Sequence, residues 1–277
     1  MSPEALAELF SLEGKVVVAT GGGGVLVAEL CRTLARLGAR LAVLDINAEE
    51  ARKVAAEIEA AGGQAEGYQV DVLDRTGLEA TAARVIDRFG GVDVLINGAG
   101  GNRAGATTSK ELSFFDLSAD DVRAVFELNF TGSLIPCQVF GRALADRGAG
   151  AIVNISSMNA MRPLTRIPAY SAAKAAVSNF TQWLAVHMCT EYSPRIRVNA
   201  IAPGFFLTRQ NRFLLTERET SGLTPRGRTI IEHTPMGRFG EPADLAGCVA
   251  WLLSPSASFV TGIVVPLDGG FSAYGGV

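Results

Sequence analysis

The chain has 277 residues, 25 basic and 28 acidic side chains, a net charge of −3 and a hydrophobic fraction of 48%. That balance gives no field for nucleic acid or an anionic membrane, and no apolar run approaches the roughly 20 residues of a spanning helix. Four cysteines, Cys31, Cys137, Cys189 and Cys248, lack C-x-x-C spacing and a His cluster, and the N-terminus lacks a basic-then-apolar signal pattern. A soluble, cytoplasmic protein with reduced thiols and no metal site is therefore expected.

In chain order, apolar β-branched runs at 15–19, 40–44, 64–70, 92–96, 151–155, 196–200 and 263–266 predict strands separated by helical patterns. Continuous apolar strands alternating with helices indicate a parallel sheet covered on both faces. End signals place the helices. Gly38 closes the first, Asn47 with Glu50 opens the second, Gly62 and Gly63 end it, and Asp74 and Gly90 to Gly91 bound the next. No repeat or linker divides the chain, so 1–277 is expected to be one α/β domain. Two long connections, 98–118 and 204–232, leave the carboxyl ends of predicted strands, where open parallel sheets bind ligands.

The first strand runs into Thr20-Gly21-Gly22-Gly23-Gly24, and a helix begins near Val25. Glycines there allow a tight turn and close approach of backbone N–H groups, and the helix N-terminus favours a pyrophosphate. Asp45 ends the second strand 24 residues after Gly21. A carboxylate at that point accepts ribose hydroxyls and repels a 2′-phosphate, which predicts NAD over NADP.

Tyr170 and Lys174 lie in the run Tyr-Ser-Ala-Ala-Lys, with Ser157 upstream and Asn129 earlier still. At i, i+4 on a helix the phenol and the ammonium share a face. The ammonium is then expected to stabilise the phenolate and make the phenol an acid or base near neutral pH.

Taken together, TGGGG at Thr20, DV at Asp71, NGAG at Asn97, Asn129, NISS at Asn154, YSAAK at Tyr170 and APGFFLT at Ala202 resemble the short-chain dehydrogenase/reductase superfamily along nearly the whole chain. The strings NISSMNA, HTPMGRFGEP and VPLDGGFSAYGGV narrow the resemblance to its D-mannonate oxidoreductase (fructuronate reductase) branch. The resemblance implies a seven-stranded Rossmann sheet, nicotinamide-dependent oxidation or reduction of an alcohol/carbonyl pair, and a homotetramer built from the apolar segments 126–140 and 175–186. It further implies that Tyr170 exchanges the proton and Ser157 orients the substrate oxygen. Lys174 would keep the phenol acidic and bind the nicotinamide ribose, while Asn129 would hold a proton-relaying water.

Dinucleotide contacts carry over to Gly21, Gly22, Gly24, Val25 and Leu26 in the first turn, and to Asp45, Asp71 and Val72 after the next two strands. Asn97, Gly98 and Ala99 follow the fourth strand, and Pro203, Gly204 and Thr208 the sixth. Two departures stand out. Val25 and Val27 occupy places where the family pattern T-G-x-x-x-G-x-G has glycines, and Asn97-Gly98 replaces the commoner Asn-Asn.

A sugar-acid substrate needs a cation for its carboxylate and amides for its hydroxyls. Asn159, Gln210 and Arg212 are the leading candidates, with Arg103, Arg162, Arg166, Arg209, Asn102 and Asn211 behind them. The expected reaction interconverts D-mannonate and D-fructuronate. Another polyol, a gluconate or a 3-oxoacyl compound is the alternative substrate. A dinucleotide-binding regulator that has lost catalysis is the alternative from outside enzymology, and the complete set Asn129, Ser157, Tyr170 and Lys174 argues against it.

Overall fold

The structure, a computed structural model, describes residues 2–207, 215–217 and 222–276. After a short helix α1 (Pro3–Leu9), strands and helices alternate: β1 (Val16–Thr20), α2 (Val25–Arg36), β2 (Arg40–Asp45), α3 (Ala48–Ala60), β3 (Gln64–Gln69), α4 (Arg75–Phe89) and β4 (Val94–Asn97). Then come α5 (Ala119–Phe126), α6 (Gly132–Arg147), β5 (Gly150–Ile155), α7 (Pro168–Glu191), β6 (Ile196–Pro203), α8 (Pro225–Glu232), α9 (Ala246–Leu253) and β7 (Val264–Leu267).

All seven expected strands form one parallel sheet in the order β3-β2-β1-β4-β5-β6-β7. Alternation along each strand sends side chains to two separate cores. Val17, Ala19 and Ile96 pack with Leu30 and Leu34 of α2, Val54 of α3 and Val249 of α9. Val16, Val18 and Leu95 face the other way, onto Leu78 of α4, Phe140 of α6 and Leu184 of α7. The fold is the single-domain Rossmann-type α/β arrangement.

Expected helix ends are built as the sequence suggests. Asn47 Oδ1 accepts the amides of Glu49 and Glu50 at 3.0 and 3.4 Å, and Asp74 caps α4 through Gly77. Gly90 ends α4 at φ 82°, a conformation that side chains disfavour. Strand order reverses between β1 and β4, which opens a crevice at their carboxyl ends. Thr20, Asn97, Ile155 and Pro203, the last residues of four strands, lie along that edge.

Candidate active site

The turn after β1 is shaped by contacts that exclude side chains. Gly21 has φ +65°, and a Cβ there would stand 2.8 Å from the Ala99 amide nitrogen. One on Gly22 would stand 2.5 Å from Val43 Cγ1. Gly24 is the N-cap of α2 and supplies no side-chain cap, so the first amides of the helix face the crevice without one. Asp45 ties the second strand to this turn, its Oδ2 accepting Gly23 N and its Oδ1 accepting Asn47 N, both at 2.9 Å. Asp71 is exposed and accepts Leu73 N through Oδ1, while Val72 is buried.

The valine at 27 fits because the residue at 98 is glycine. A Cβ on Gly98 would lie 2.3 Å from Val27 Cγ2. Valine at 27 and glycine at 98 are therefore complementary departures from the family pattern, while Val25 takes no part in this contact.

Asn97 turns its side chain into the sheet. Its Nδ2 donates to Asn154 Oδ1 at 2.8 Å on the paired strand and to Cys137 Sγ at 3.1 Å. Asn154 in turn donates to Thr181 Oγ1 at 2.9 Å. This buried polar chain fixes the ends of β4 and β5 and leaves the 97–99 backbone at the crevice.

Asn129 sits in a π-helical turn, Glu127–Thr131, wedged between α5 and α6, and is fully buried. Such a turn redirects backbone groups within an otherwise continuous helix. Asn129 Nδ2 donates to the carbonyls of Gly101 at 2.7 Å and Val125 at 2.8 Å, which locks the loop after β4 onto this turn. Gly100 must be bare for the same assembly: a Cβ there would lie 2.6 Å from Asn129 Oδ1 and 3.3 Å from Lys174 Nζ.

Lys174 is buried and donates from Nζ to the Ile155 carbonyl at 2.8 Å. Its ammonium lies over the Tyr170 ring, 5.6 Å from the centroid. Ser157, in extended backbone just beyond β5, accepts the Asn159 amide at 3.3 Å, and its hydroxyl acts on the Tyr170 phenol. Asn129, Ser157, Tyr170 and Lys174 thus converge at the ends of β4 and β5. Burial pulls the Lys174 ammonium down to about 8. Burial also pushes the Tyr170 phenol up, and Ser157 pulls it partly back. The phenol of the free chain is therefore shifted upward, opposite to the expected lowering, because desolvation is the largest influence on it.

Asn159, two residues after Ser157, is buried at 4% exposure, and its Oδ1 has no hydrogen-bond partner. An unpaired buried carbonyl next to a reactive cluster is poised to accept a hydroxyl. The arginine candidates separate. Arg103 pairs with Asp121 at 3.3 Å, and Arg162 Nε donates to the Ser272 carbonyl at 3.0 Å. Asn102 is held by Thr107. Thr208, Arg209, Gln210, Asn211 and Arg212 lie outside the described residues. Arg226, on the first turn of α8, escaped the sequence analysis; partial burial and then the Arg166 charge hold its guanidinium below the usual range. Sixty residues separate the two, and neither belongs to a motif.

Comparison with known proteins agrees with this geometry. The family model for short chain dehydrogenases matches residues 15–219. The uncharacterized oxidoreductase UxuB of Bacillus subtilis (strain 168) is 50% identical over 276 residues, covering 96% of this chain and 98% of that protein. Galactitol 2-dehydrogenase (L-tagatose-forming) of Cereibacter sphaeroides is 36% identical, with coverage of 96% and 98%. Among solved structures, a candidate D-mannonate oxidoreductase of Haemophilus influenzae with bound NAD superposes at a TM-score of 0.91 and 46% identity, covering 98% of this chain and all of that one.

Proposed function

Since the chain belongs to the short-chain dehydrogenase family, and is an oxidoreductase by that membership, we propose that it interconverts D-mannonate and D-fructuronate with NAD. The observation that carries the chemistry is the convergence of Tyr170, Ser157, Lys174 and Asn129 beside a glycine turn that faces the same crevice. The sugar-acid assignment draws on the likeness to the Haemophilus influenzae protein and on the unpartnered Asn159 carbonyl.

The residues fit a dinucleotide. Close contacts keep Gly21 and Gly22 free of side chains, α2 opens without a side-chain cap, and Asp45 presents a carboxylate where a ribose diol would bind and a 2′-phosphate would be repelled. Nicotinamide, when bound, supplies or accepts the hydride. Everything else falls to the chain.

Tyr170 donates a proton to the oxygen of the carbonyl being reduced and takes one back in alcohol oxidation. Its raised pKa keeps the phenol protonated, which suits donation. Ser157 shares its hydroxyl between Tyr170 and the substrate oxygen, so two donors face the point where negative charge grows. Lys174, anchored on Ile155, holds a cation beneath the Tyr170 ring and, with a pKa near 8, exchanges protons in the working range. Asn129 holds the 101 loop against this group and keeps the relay to Lys174 in place. Asn159 accepts a sugar hydroxyl, with Gln210 and Arg212 as further partners of the substrate.

We further assign a homotetramer. An aromatic row, Phe126, Phe130, Phe180, Trp183, His187 and Tyr192, runs over α5 and α7 with ring spacings of 4.7 to 6.1 Å. Trp183 in it and Val186 next to His187 on α7 are 57% and 65% exposed, a surface suited to self-association. Four unpaired cysteines suit a reducing cytoplasm.

The test is a panel of D-fructuronate, D-tagaturonate, 5-ketogluconate and neutral polyols, each with NAD(H) and NADP(H). Highest kcat/KM for D-fructuronate with NADH supports the assignment. Turnover of galactitol alone would move the protein to the polyol dehydrogenases.

A further inference from the structure

Two serines follow β5, and their hydroxyls go to the two ends of one helical turn. Ser157 acts on the Tyr170 phenol, as described above. Ser156 is buried, its amide donates to the Ile201 carbonyl of β6 at 2.8 Å, and its Oγ donates to the backbone carbonyl of Lys174 at 3.0 Å. A hydroxyl has one proton, and that of Ser156 is committed to Lys174. The 2.6 Å contact between Ser156 Oγ and Ser178 Oγ is therefore a donation from Ser178, one turn further along α7. The result is a directed chain from Ser178 through Ser156 to the Lys174 carbonyl, in which each bond polarises the next.

Lys174 returns the contact, because its Nζ donates to the carbonyl of Ile155, the residue before Ser156, at 2.8 Å. Its main chain and its side-chain tip are thus tied to adjacent residues of one strand end, which closes a ring of two hydrogen bonds. Lys174 lies in the middle of α7, Pro168–Glu191, where a carbonyl already has a helical amide for a partner. The bond from Ser156 therefore rescues no orphaned acceptor; what it adds is the register of α7 on β5. Among the described residues no carboxylate pairs with the ammonium, so its place beneath the Tyr170 ring depends on neutral tethers such as these. A lysine stem with four rotatable carbons holds no position by itself.

We propose that Ser156, backed by Ser178, is a positioning residue for proton transfer, fixing the turn from Tyr170 to Lys174 against the end of β5 so that phenol and ammonium keep their working distance. This rests on the roles given above to Tyr170 and Lys174. Ser156 acts through Lys174 alone, since its own proton is spent on the helix.

The experiment follows steady-state reduction by the full chain with NADH, using the ketone of the panel above that wild type reduces fastest, with Tyr170→Phe as reference. Ser156→Ala should lower kcat by about 10- to 100-fold, since misplacing a reacting group by about 1 Å costs up to about 100-fold, and should leave KM near the wild-type value. Ser178→Ala keeps the bond to Lys174 and should lower kcat by less. Ser193→Ala is the matched control: its hydroxyl is similarly buried and also donates to a backbone carbonyl, that of Gly148 at 2.7 Å, beyond the far end of α7. It should lower the urea midpoint as Ser156→Ala does and leave kcat unchanged. Wild-type kcat in Ser156→Ala, with Tyr170→Phe inactive, overturns the positioning role and leaves the proton-transfer reading intact. An equal fall of kcat in Ser156→Ala and Ser193→Ala also overturns it, because lost stability would then be the cause. Normal turnover in Tyr170→Phe overturns both.

Discussion

Val27 and Gly98 occupy one space: the valine methyl group stands where a side chain at 98 would begin, 2.3 Å from that Cβ position. Helix α2 packs against the end of β4 through this contact, and the glycine turn that opens α2 is positioned by it. Gly98→Ala should cost about 1 to 3 kcal/mol by overpacking. Val27→Gly should cost about 2 to 4 kcal/mol through lost burial and helix propensity. Because each change relieves what the other creates, the double variant should be at least about 1 kcal/mol more stable than the sum predicts. Urea unfolding of the four proteins checks this, and strict additivity would show that the two positions do not compensate.

Removing the phenolic hydroxyl leaves the ring packed beside Val122, Val125 and Ala169. Tyr170→Phe should therefore keep the fold and NADH affinity while lowering turnover by about 100- to 10,000-fold. Ser157→Ala removes both a substrate donor and the partner of Tyr170, and a comparable loss is expected. Steady-state rates together with an NADH titration separate chemistry from binding. A Tyr170→Phe enzyme with near-normal turnover would assign the proton to another group.

The buried ammonium makes stability depend on pH in a direction that can be worked out. Burial lowers the Lys174 ammonium to about 8 in the folded chain, against an ordinary value of 10.5. Below about pH 8 both states are protonated and the folded state carries the full cost of a buried charge. Between 8 and 10.5 the unfolded chain binds the extra proton, so stability from this group rises with pH. Wild type should gain roughly 2 kcal/mol on Lys174→Met between pH 7 and 9.5. Tyr170, displaced upward, stays protonated through that window. Parallel urea curves at the two pH values decide it, and a constant difference between the proteins would contradict the buried charge.

Apart from β3, which reads Gln-Ala-Glu-Gly-Tyr-Gln, the strands were legible as short apolar runs bounded by turn signals, and parallel pairing follows from helices between them. Asn47 and Asp74 announced helix starts for the same local reason. The catalytic cluster was legible as motif, yet its electrostatics were not. Spacing puts Tyr170 and Lys174 on one helical face, but desolvation depends on Ile155, Gly100 and Asn129, which come from three other segments. The exchange of bulk between positions 27 and 98 was equally hidden, since a sequence displays two departures without the contact that joins them. Arg226 escaped because nothing local marks it and only the folded chain brings it within range of the Arg166 charge.

The chain joining Asn97, Asn154 and Thr181 holds the ends of β4 and β5 at the distance the site requires. Asn154→Leu strands one amide proton of Asn97 in a dry interior and removes the hydrogen bond to the Thr181 hydroxyl, which still donates to the Val177 carbonyl. The stranded donor costs about 1 to 3 kcal/mol and the lost hydrogen bond about 1 kcal/mol, so a loss of roughly 2 to 4 kcal/mol is expected. Asn97→Leu with Asn154→Leu should recover part of it, because removing both partners abolishes the unmet demand. A lower urea midpoint for the double variant than for Asn154→Leu would show that this chain is not the source of the loss.

Asp45 has two tasks that substitution should separate. Its carboxylate repels a 2′-phosphate, and its two oxygens also hold the amides of Gly23 and Asn47. Asp45→Asn keeps an acceptor for one of the two amides while deleting the charge, so the turn should survive. Asp45→Ala deletes both and should cost an additional 1 to 2 kcal/mol or so in stability, as a lost cap does. Both variants should raise the kcat/KM ratio of NADPH to NADH by about tenfold or more, since a tenfold change corresponds to only about 1.4 kcal/mol of relieved repulsion. Measured with one ketone substrate, a ratio that stays at the wild-type value in Asp45→Asn would mean that the preference for NAD is set elsewhere in the crevice. A ratio that rises equally in the two variants, with stability lost only in Asp45→Ala, would assign cofactor choice to the charge and turn geometry to the hydrogen bonds.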